Sequence, residues 1–193
     1  RYYQALLGYT VVFPDEWLID ETTTTVTASN AEQGSIHIEV QRIQENLEPR
    51  VFIRDEMGIG ALQKSEKLEQ YRLLGHTGVA VSPETGNTER VAAIYLGPRV
   101  FTFRAEITDA EASDEIDEQL LASIRTFRAI QQGETASGTE AKIKFVQASE
   151  FFDFSVVAQS SRIANYPEES LRLLNGYYPR GTPEAGEWVK LIE

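Results

Sequence analysis

Arg90-Val-Ala-Ala-Ile-Tyr-Leu-Gly-Pro-Arg-Val-Phe-Thr-Phe-Arg-Ala-Glu-Ile107 reads as two β-strands joined at a turn. Both arms, 90–96 and 100–107, are rich in β-branched and aromatic residues, and Gly97-Pro98 supplies the backbone punctuation of a hairpin. A hairpin lays its strands antiparallel, so the sheet built outward from it is expected to be mainly antiparallel.

The sequence upstream supplies further strands. Gly8-Tyr-Thr-Val-Val-Phe-Pro14 is a strand ended by proline, with Trp17 expected to close the core beside it. Residues 22–28 continue with β-formers, and Ser35-Ile-His-Ile-Glu-Val-Gln41 alternates, putting Ile36, Ile38 and Val40 on one face and His37 and Glu39 on the other. Pro49 at a first helical position, apolar Val51, Phe52 and Met57, and Gly58 as a stop predict a short helix over 49–57. Residues 61–74 fit neither period, because Leu62, Leu68, Leu73 and Leu74 share no face, whereas Gly78-Val-Ala-Val81 reads as a strand. Downstream of the hairpin, Ser113 is the expected N-cap of a helix over 114–128. Asp114 and Glu115 sit at its positive end, and Ile116, Leu120, Ile124 and Phe127 form one apolar stripe. Consecutive strands with helices inserted and appended give an α+β class: a mainly antiparallel sheet with packed helices.

With 193 residues, of which 41% are apolar, the chain is long enough for one large or two small domains. No run approaches the roughly 18 consecutive apolar residues of a membrane-spanning helix, so no membrane insertion by this segment is expected. It opens on Arg1 and runs directly into structured sequence, as an excised piece would. The absence of cysteine removes disulfides, thiolate nucleophiles and cysteine zinc sites. A net charge of -12 repels phosphate backbones, which argues against nucleic acid as a partner. The charge is uneven: residues 1–130 carry 12 basic and 21 acidic side chains, whereas 141–193 carry 6 and 7. Between them, Gln131-Gln-Gly-Glu-Thr-Ala-Ser-Gly-Thr-Glu140 has nothing large and apolar to bury. The expected organisation is therefore a sandwich-like domain over 1–130, a linker over 131–140 and a small domain over 141–193.

The small domain reads as βααβ. Lys142-Ile-Lys-Phe-Val146 is a strand and Phe154-Ser-Val-Val-Ala158 a compact helical turn. A second helix starts near Pro167-Glu168-Glu169 and ends at Asn175-Gly176, and the closing strand is Glu187-Trp-Val-Lys-Leu-Ile-Glu193. Leu171-Arg-Leu-Leu-Asn175 and Ala185-Gly186 resemble, in order, the Leu-x-x-Leu-Asn and Pro-Gly of LysM modules. Ser149-Glu150-Phe151 stands where that family usually has Gly-Asp-Thr. The opening Gly8-Tyr-Thr-Val-Val-Phe-Pro-Asp-Glu-Trp17 is similar to the start of PsbP-like α/β sandwiches.

Four stretches together resemble the C-terminal region of bacterial Ste24-type zinc metallopeptidases: Ala122-Ser-Ile-Arg-Thr-Phe-Arg128 with the linker, Gln147-Ala-Ser-Glu-Phe-Phe152, Leu171-Arg-Leu-Leu-Asn-Gly-Tyr-Tyr-Pro179 and Gly186-Glu-Trp-Val-Lys190. That resemblance implies a periplasmic or envelope-associated parent enzyme whose zinc-bearing protease domain is absent from this chain. It also implies partners in the parent's own metallopeptidase domain or other envelope proteins.

No catalytic, cofactor or metal residues are assigned within the chain itself. There is no HExxH, whose spacing aims two imidazoles at one zinc. His37, on an outward strand face, and His76, between Gly75 and Thr77 in an expected turn, read as surface histidines. A meeting of the two with Glu39 around a metal is the alternative. No Gly-x-Ser-x-Gly elbow or phosphate-binding Gly-Lys-Ser/Thr occurs. The remaining candidates are aromatic: Phe151 and Phe152 after the first tail strand, and Tyr177 and Tyr178 after the second helix, fall in the two loops that form the glycan groove of LysM modules. Two readings stand for them, a peptidoglycan or other glycan site and closure of a small core, with Phe154 and Trp188 as further packing.

Overall fold

The computed structural model describes the chain except residues 44–46, 83–84, 110, 132–133, 135–141, 164 and 193. In chain order the strands are β1 (Tyr2–Gln4), β2 (Tyr9–Val11), β3 (Leu18–Glu21), β4 (Thr25–Asn30), β5 (Gly34–Arg42), β6 (Gln63–Leu68), β7 (Leu74–Val81), β8 (Thr88–Leu96), β9 (Arg99–Ile107), β10 (Arg128–Ala129), β11 (Ile143–Gln147) and β12 (Trp188–Ile192). The α-helices are α1 (Pro49–Asp55), α2 (Ser113–Arg125), α3 (Phe154–Ser160) and α4 (Pro167–Leu174). Two compact units result, one of residues 11–128 and one of 1–10 with 129–193. The first ten residues, expected with the 1–130 domain, group with the tail, and β1, β2 and β10 form a three-stranded sheet. The linker expected over 131–140 lies almost wholly outside the described residues.

Residues 11–128 form a seven-stranded sheet in the order β3-β4-β5-β9-β8-β7-β6, antiparallel at every pairing. The expected hairpin is its centre: Arg90 pairs with Ala105 and Leu96 with Arg99. Register aligns Val40, Phe101 and Ile94 on one face, with Ile38, Phe103 and Ala92 beside them. Against this face α2 lays its stripe of Ile116, Leu120 and Ile124, all buried, and Phe127 stacks on Phe101 and Phe103 at 5.0 and 5.4 Å. The opposite face carries Val91, Ala93 and Val100, covered by Phe52 and Ile53 of α1 and by Ile59. The fold class is α+β, as the pattern indicated.

Departures from the expectations are local. Ser113 opens the first turn of α2 instead of capping it. The residue before the helix is Ala112, and the Asp109 carboxylate takes the free N–H groups of Glu111 and Ala112. The ambiguous stretch 61–74 holds edge strand β6, which carries Lys64, Glu66 and Lys67 and a bulge between Gln63 and Glu66. Charges and bulges protect sheet edges from adding further strands, and they also erase the alternation that would reveal the strand. The other edge strand, β3, is exposed along its whole length, and its Leu-Ile-Asp-Glu sequence shows no alternation either. Gly34 at the start of β5 has φ +148°, and a Cβ there would lie 2.0 Å from the Glu106 carbonyl oxygen, so the β5–β9 pairing demands glycine.

In the smaller unit β11 and β12 pair antiparallel, with α3 and α4 between them in sequence, so the order is βααβ. The Asp153 carboxylate caps α3 by accepting the Ser155 N–H at 2.8 Å. Helix α4 begins at Pro167 and ends as Asn175-Gly176 implied. Gly176 has φ +80°, and the Tyr177 N–H returns to the Arg172 carbonyl at 2.8 Å.

Candidate interaction surface

The core of the small unit is Phe152, Phe154, Val157, Leu171, Val189 and Leu191. On β12, Val189 and Leu191 point into this core, which sends Trp188 and Lys190 to the opposite face, while half-buried Ile192 at the strand end packs against the core. Register places Ile143 against Ile192, Phe145 against Lys190 and Gln147 against Trp188, so these β11 residues share that outer face. Two short helices can cover only one side of a two-stranded ribbon. The uncovered side is apolar: Ile143 is 59%, Phe145 60% and Trp188 67% exposed. Trp188, expected as packing, stands outside the core. The sequence signal was present, since β12 is apolar on both faces while the domain has helices for one.

The two edges of the ribbon differ. At β12, the Asn175 amide donates to the Lys190 carbonyl at 2.9 Å and its oxygen accepts the Lys190 N–H at 2.7 Å. The Ile192 carbonyl accepts from the Arg162 N–H at 3.3 Å and the Ser161 hydroxyl at 3.1 Å. The backbone groups of Lys190 and Ile192 therefore point away from β11. In an antiparallel pair, opposed residues share that orientation, so the N–H and C=O groups of Phe145 and Ile143 point outward on the far edge, and by period two those of Gln147 do as well. Among the described residues no strand pairs with that edge.

The four aromatic candidates are split by the fold. Phe152 is buried and meets Phe154 edge-on at 5.0 Å. Tyr177 is half-buried, 5.7 Å from the Phe154 ring, and its hydroxyl donates to Glu187 at 2.7 Å. That bond raises the tyrosine pKa and lowers that of the carboxylate. Phe151 is half-buried and Tyr178 is 57% exposed. The loop beyond Tyr178 is shaped by Arg172, whose guanidinium lies 5.0 Å over the Phe154 ring, pairs with Glu168 at 2.9 Å and donates to the Gly181 carbonyl. Glu168, Arg172, Pro179, Arg180, Gly181 and Thr182 line an open cavity of about 440 Å³ there.

In the large unit the histidines stay apart. His37 lies on β5 with its Nδ1 2.9 Å from the Thr27 hydroxyl. His76 is not in a turn and not at the surface: it sits within β7, 7% exposed, with Nε2 2.8 Å from the Ser65 hydroxyl. Desolvation lowers its pKa, the positive charges of Arg50 and Lys67 add to that, and Glu66 opposes. Register runs from His76 through Ala93 and Thr102 to Glu39, three interstrand steps or roughly 14 Å at the usual sheet spacing, too far to share a metal. Among the described residues no three His, Cys, Asp or Glu side chains are grouped to hold a metal ion, and no helix is long and apolar enough to cross a membrane.

Sequence reading did not single out the buried pair Arg90 and Asp117. The guanidinium, 1% exposed as a residue, donates to both carboxylate oxygens at 2.5 and 2.8 Å, and to the Thr77 hydroxyl at 3.2 Å. Lys64, at the β6 bulge, joins Asp117 at 3.0 Å and Asp114 at 2.8 Å. Burial alone would raise the Asp117 pKa, but the hydrogen bonds from Arg90 and Lys64 outweigh it and lower it. No spacing rule links positions 90 and 117. The pair is created by packing α2 on β8, and it locks the helix to the sheet. Two further hollows of this unit, one beside Ile59 and Val79 and one beside Phe13 and Ser123, are lined chiefly by small, apolar and uncharged polar residues.

No protein-family model matches the chain, and no curated protein matches it either. Among solved structures it is similar to cyanobacterial PsbP (CyanoP) from Synechocystis sp. PCC 6803, with a TM-score of 0.46 and 10% identity over 66% of this chain and 90% of that one. It is also similar to a protein from Bacteroides thetaiotaomicron VPI-5482, with a TM-score of 0.43 and 14% identity over 70% of this chain and 49% of that one.

Proposed function

We propose that this chain is a non-catalytic accessory region that acts through protein contacts, and that its parent is an envelope zinc metallopeptidase whose protease domain lies outside this sequence. The observation that carries the interaction role is the exposed apolar face of Ile143, Phe145 and Trp188 on an otherwise acidic, well-packed chain. Apolar surface grouped in this way marks contact sites. The parent and its envelope location rest on the sequence resemblance and on the LysM-like order of the tail. The same resemblance assigns the zinc to that other domain.

The test is calorimetric titration of the purified chain with a separately produced Ste24-type metallopeptidase domain. Binding is expected, and Phe145→Thr with Trp188→Thr should weaken it roughly tenfold or more. Chelator-sensitive cleavage of an unfolded protein by the chain alone would overturn the non-catalytic reading, and absence of binding would overturn the parentage.

A second reading, a peptidoglycan or glycan site, is favoured by one feature: Tyr178 is exposed beside the polar cavity of Glu168, Arg172 and Arg180. Phe151 and Tyr178 would supply stacking faces, with Phe152 and Tyr177 supporting them from the core. N-acetylglucosamine oligomers at about 1 mM should then change tyrosine fluorescence, and an unchanged signal removes this reading.

A further inference from the structure

The proposed interaction role becomes specific at β11. We infer that the open edge of β11 binds an extended acidic peptide, in which apolar and acidic residues alternate, as a third strand of the β11–β12 ribbon. This rests on the reading of the ribbon as a contact surface and adds the partner's chemistry and its mode of binding.

Three observations converge. The first is the backbone. Ile143, Phe145 and Gln147 direct their N–H and C=O groups away from β12, and among the described residues no strand takes them. An added strand would satisfy three donors and three acceptors in register, the mode by which sheets recruit extended peptides. The second is the outer face. A peptide residue opposite Phe145 would point to the same side as Phe145 and Trp188, where apolar area is already exposed. The third is charge. The chain carries 30 acidic and 18 basic residues, yet residues 142–148 and 188–192 contain three lysines, Lys142, Lys144 and Lys190, and no acid. Glu187, at the mouth of the ribbon, is held by the Tyr177 hydroxyl and the Glu184 N–H.

These features also set the order of residues in the peptide. Period two places its apolar residues over Ile143 and Phe145 and its intervening residues beside Lys142 and Lys144, whose positive charge attracts carboxylates. The same geometry disfavours a second copy of this chain. A two-fold centred on Phe145 would bring Lys144 of both copies to diagonal positions across the new pair, where like charges repel.

The test uses the full chain and a fluorescein-labelled peptide of sequence Val-Glu-Val-Asp-Phe-Glu-Val. Three comparison peptides accompany it: one with lysine in place of each acid, one of the same composition with its acids in one block, and one N-methylated at the residues that face β11. Anisotropy should show saturable binding of the alternating acidic peptide alone. On binding, the Ile143, Phe145 and Gln147 amides should gain protection from hydrogen exchange. Lys142→Glu with Lys144→Glu should weaken binding roughly tenfold, and more at low salt than at high. Both lysines are exposed, and an unchanged urea midpoint will establish that the variant is folded.

Equal binding of the N-methylated peptide would overturn strand addition, and equal binding of the lysine peptide would overturn the charge assignment. Concentration-dependent dimerisation with protection of the same amides and no peptide binding would name a second copy as the occupant instead. If no peptide binds while the metallopeptidase domain still binds in a manner sensitive to Phe145 and Trp188, the strand-addition inference falls and the broader interaction role stands.

Discussion

The Asn175 side chain and the Lys190 backbone exchange two hydrogen bonds, 2.9 Å from Nδ2 to the carbonyl and 2.7 Å from the N–H to Oδ1. A third, from Nδ2 to the Leu171 carbonyl at 2.8 Å, makes the same residue the C-terminal clamp of α4. The asparagine of the Leu-x-x-Leu-Asn pattern thus works as a structural rivet. It seals the β12 edge and leaves β11 as the open one.

Asn175→Ala removes all three bonds and leaves backbone groups of β12 unmatched. At about 1 kcal/mol for each lost bond, a destabilisation of about 2–3 kcal/mol is expected. Urea unfolding followed by tryptophan fluorescence reads it, since Trp188 lies two residues from the clamp.

Asp117→Asn leaves the Arg90 guanidinium buried without its counter-charge and should cost about 3–5 kcal/mol, whereas Arg90→Met with Asp117→Leu should recover much of that loss. The folded pKa of Asp117 lies below its unfolded value. Its stabilising contribution is therefore complete above the ordinary carboxylate value of about 4 and is lost as pH falls through the lower folded value. Stability measured from neutral pH down to about pH 2 should drop in that range for the native chain and drop less for the paired apolar variant.

His76 gives a second pH dependence of the same sign through a different group. Its folded pKa is lowered, so the folded state binds the proton more weakly than the unfolded chain does. Its contribution is present above the unfolded value of about 6.5 and is lost as pH falls from there to the folded pKa. His76→Gln should flatten stability between about pH 7 and 5 relative to the native chain, which a series of urea midpoints will show.

Gly34→Ala forces a Cβ to 2.0 Å from the Glu106 carbonyl at a backbone angle of +148°. Because the clash is with backbone of the paired strand, no side-chain rotation relieves it. A loss of about 2 kcal/mol or more is expected. Gly58→Ala, also at positive φ but with open space around it, should cost less, and comparing their melting temperatures separates steric clash from backbone strain.

Much of the fold was legible in advance because it rests on local rules. The alternation of residues 35–41, the Gly97-Pro98 hairpin, the stripe of α2 and the Asn175-Gly176 helix end each follow from side-chain period or backbone conformation within a few positions. The edge strands were not legible, because β3 and β6 carry charges, and β6 also a bulge, that break the alternation of a half-buried strand. Of the four aromatic candidates, the sequence placed all in the correct two loops but had no means to divide Phe152 and Tyr177, drawn to Phe154, from the more accessible Phe151 and Tyr178.

What the sequence by itself determined is therefore the class and the central elements: a mainly antiparallel sheet with packed helices, then βααβ, on an acidic, cysteine-free chain. Only the tertiary structure decided which surfaces remain available. It buried His76 under charges from other segments, joined Arg90 to Asp117 across 27 positions, and turned Trp188 outward beside Phe145. The physical reason is that period sets which residues share a face, whereas burial depends on how many layers the rest of the chain can bring to cover that face. In the small unit there is one such layer for a ribbon with two apolar sides.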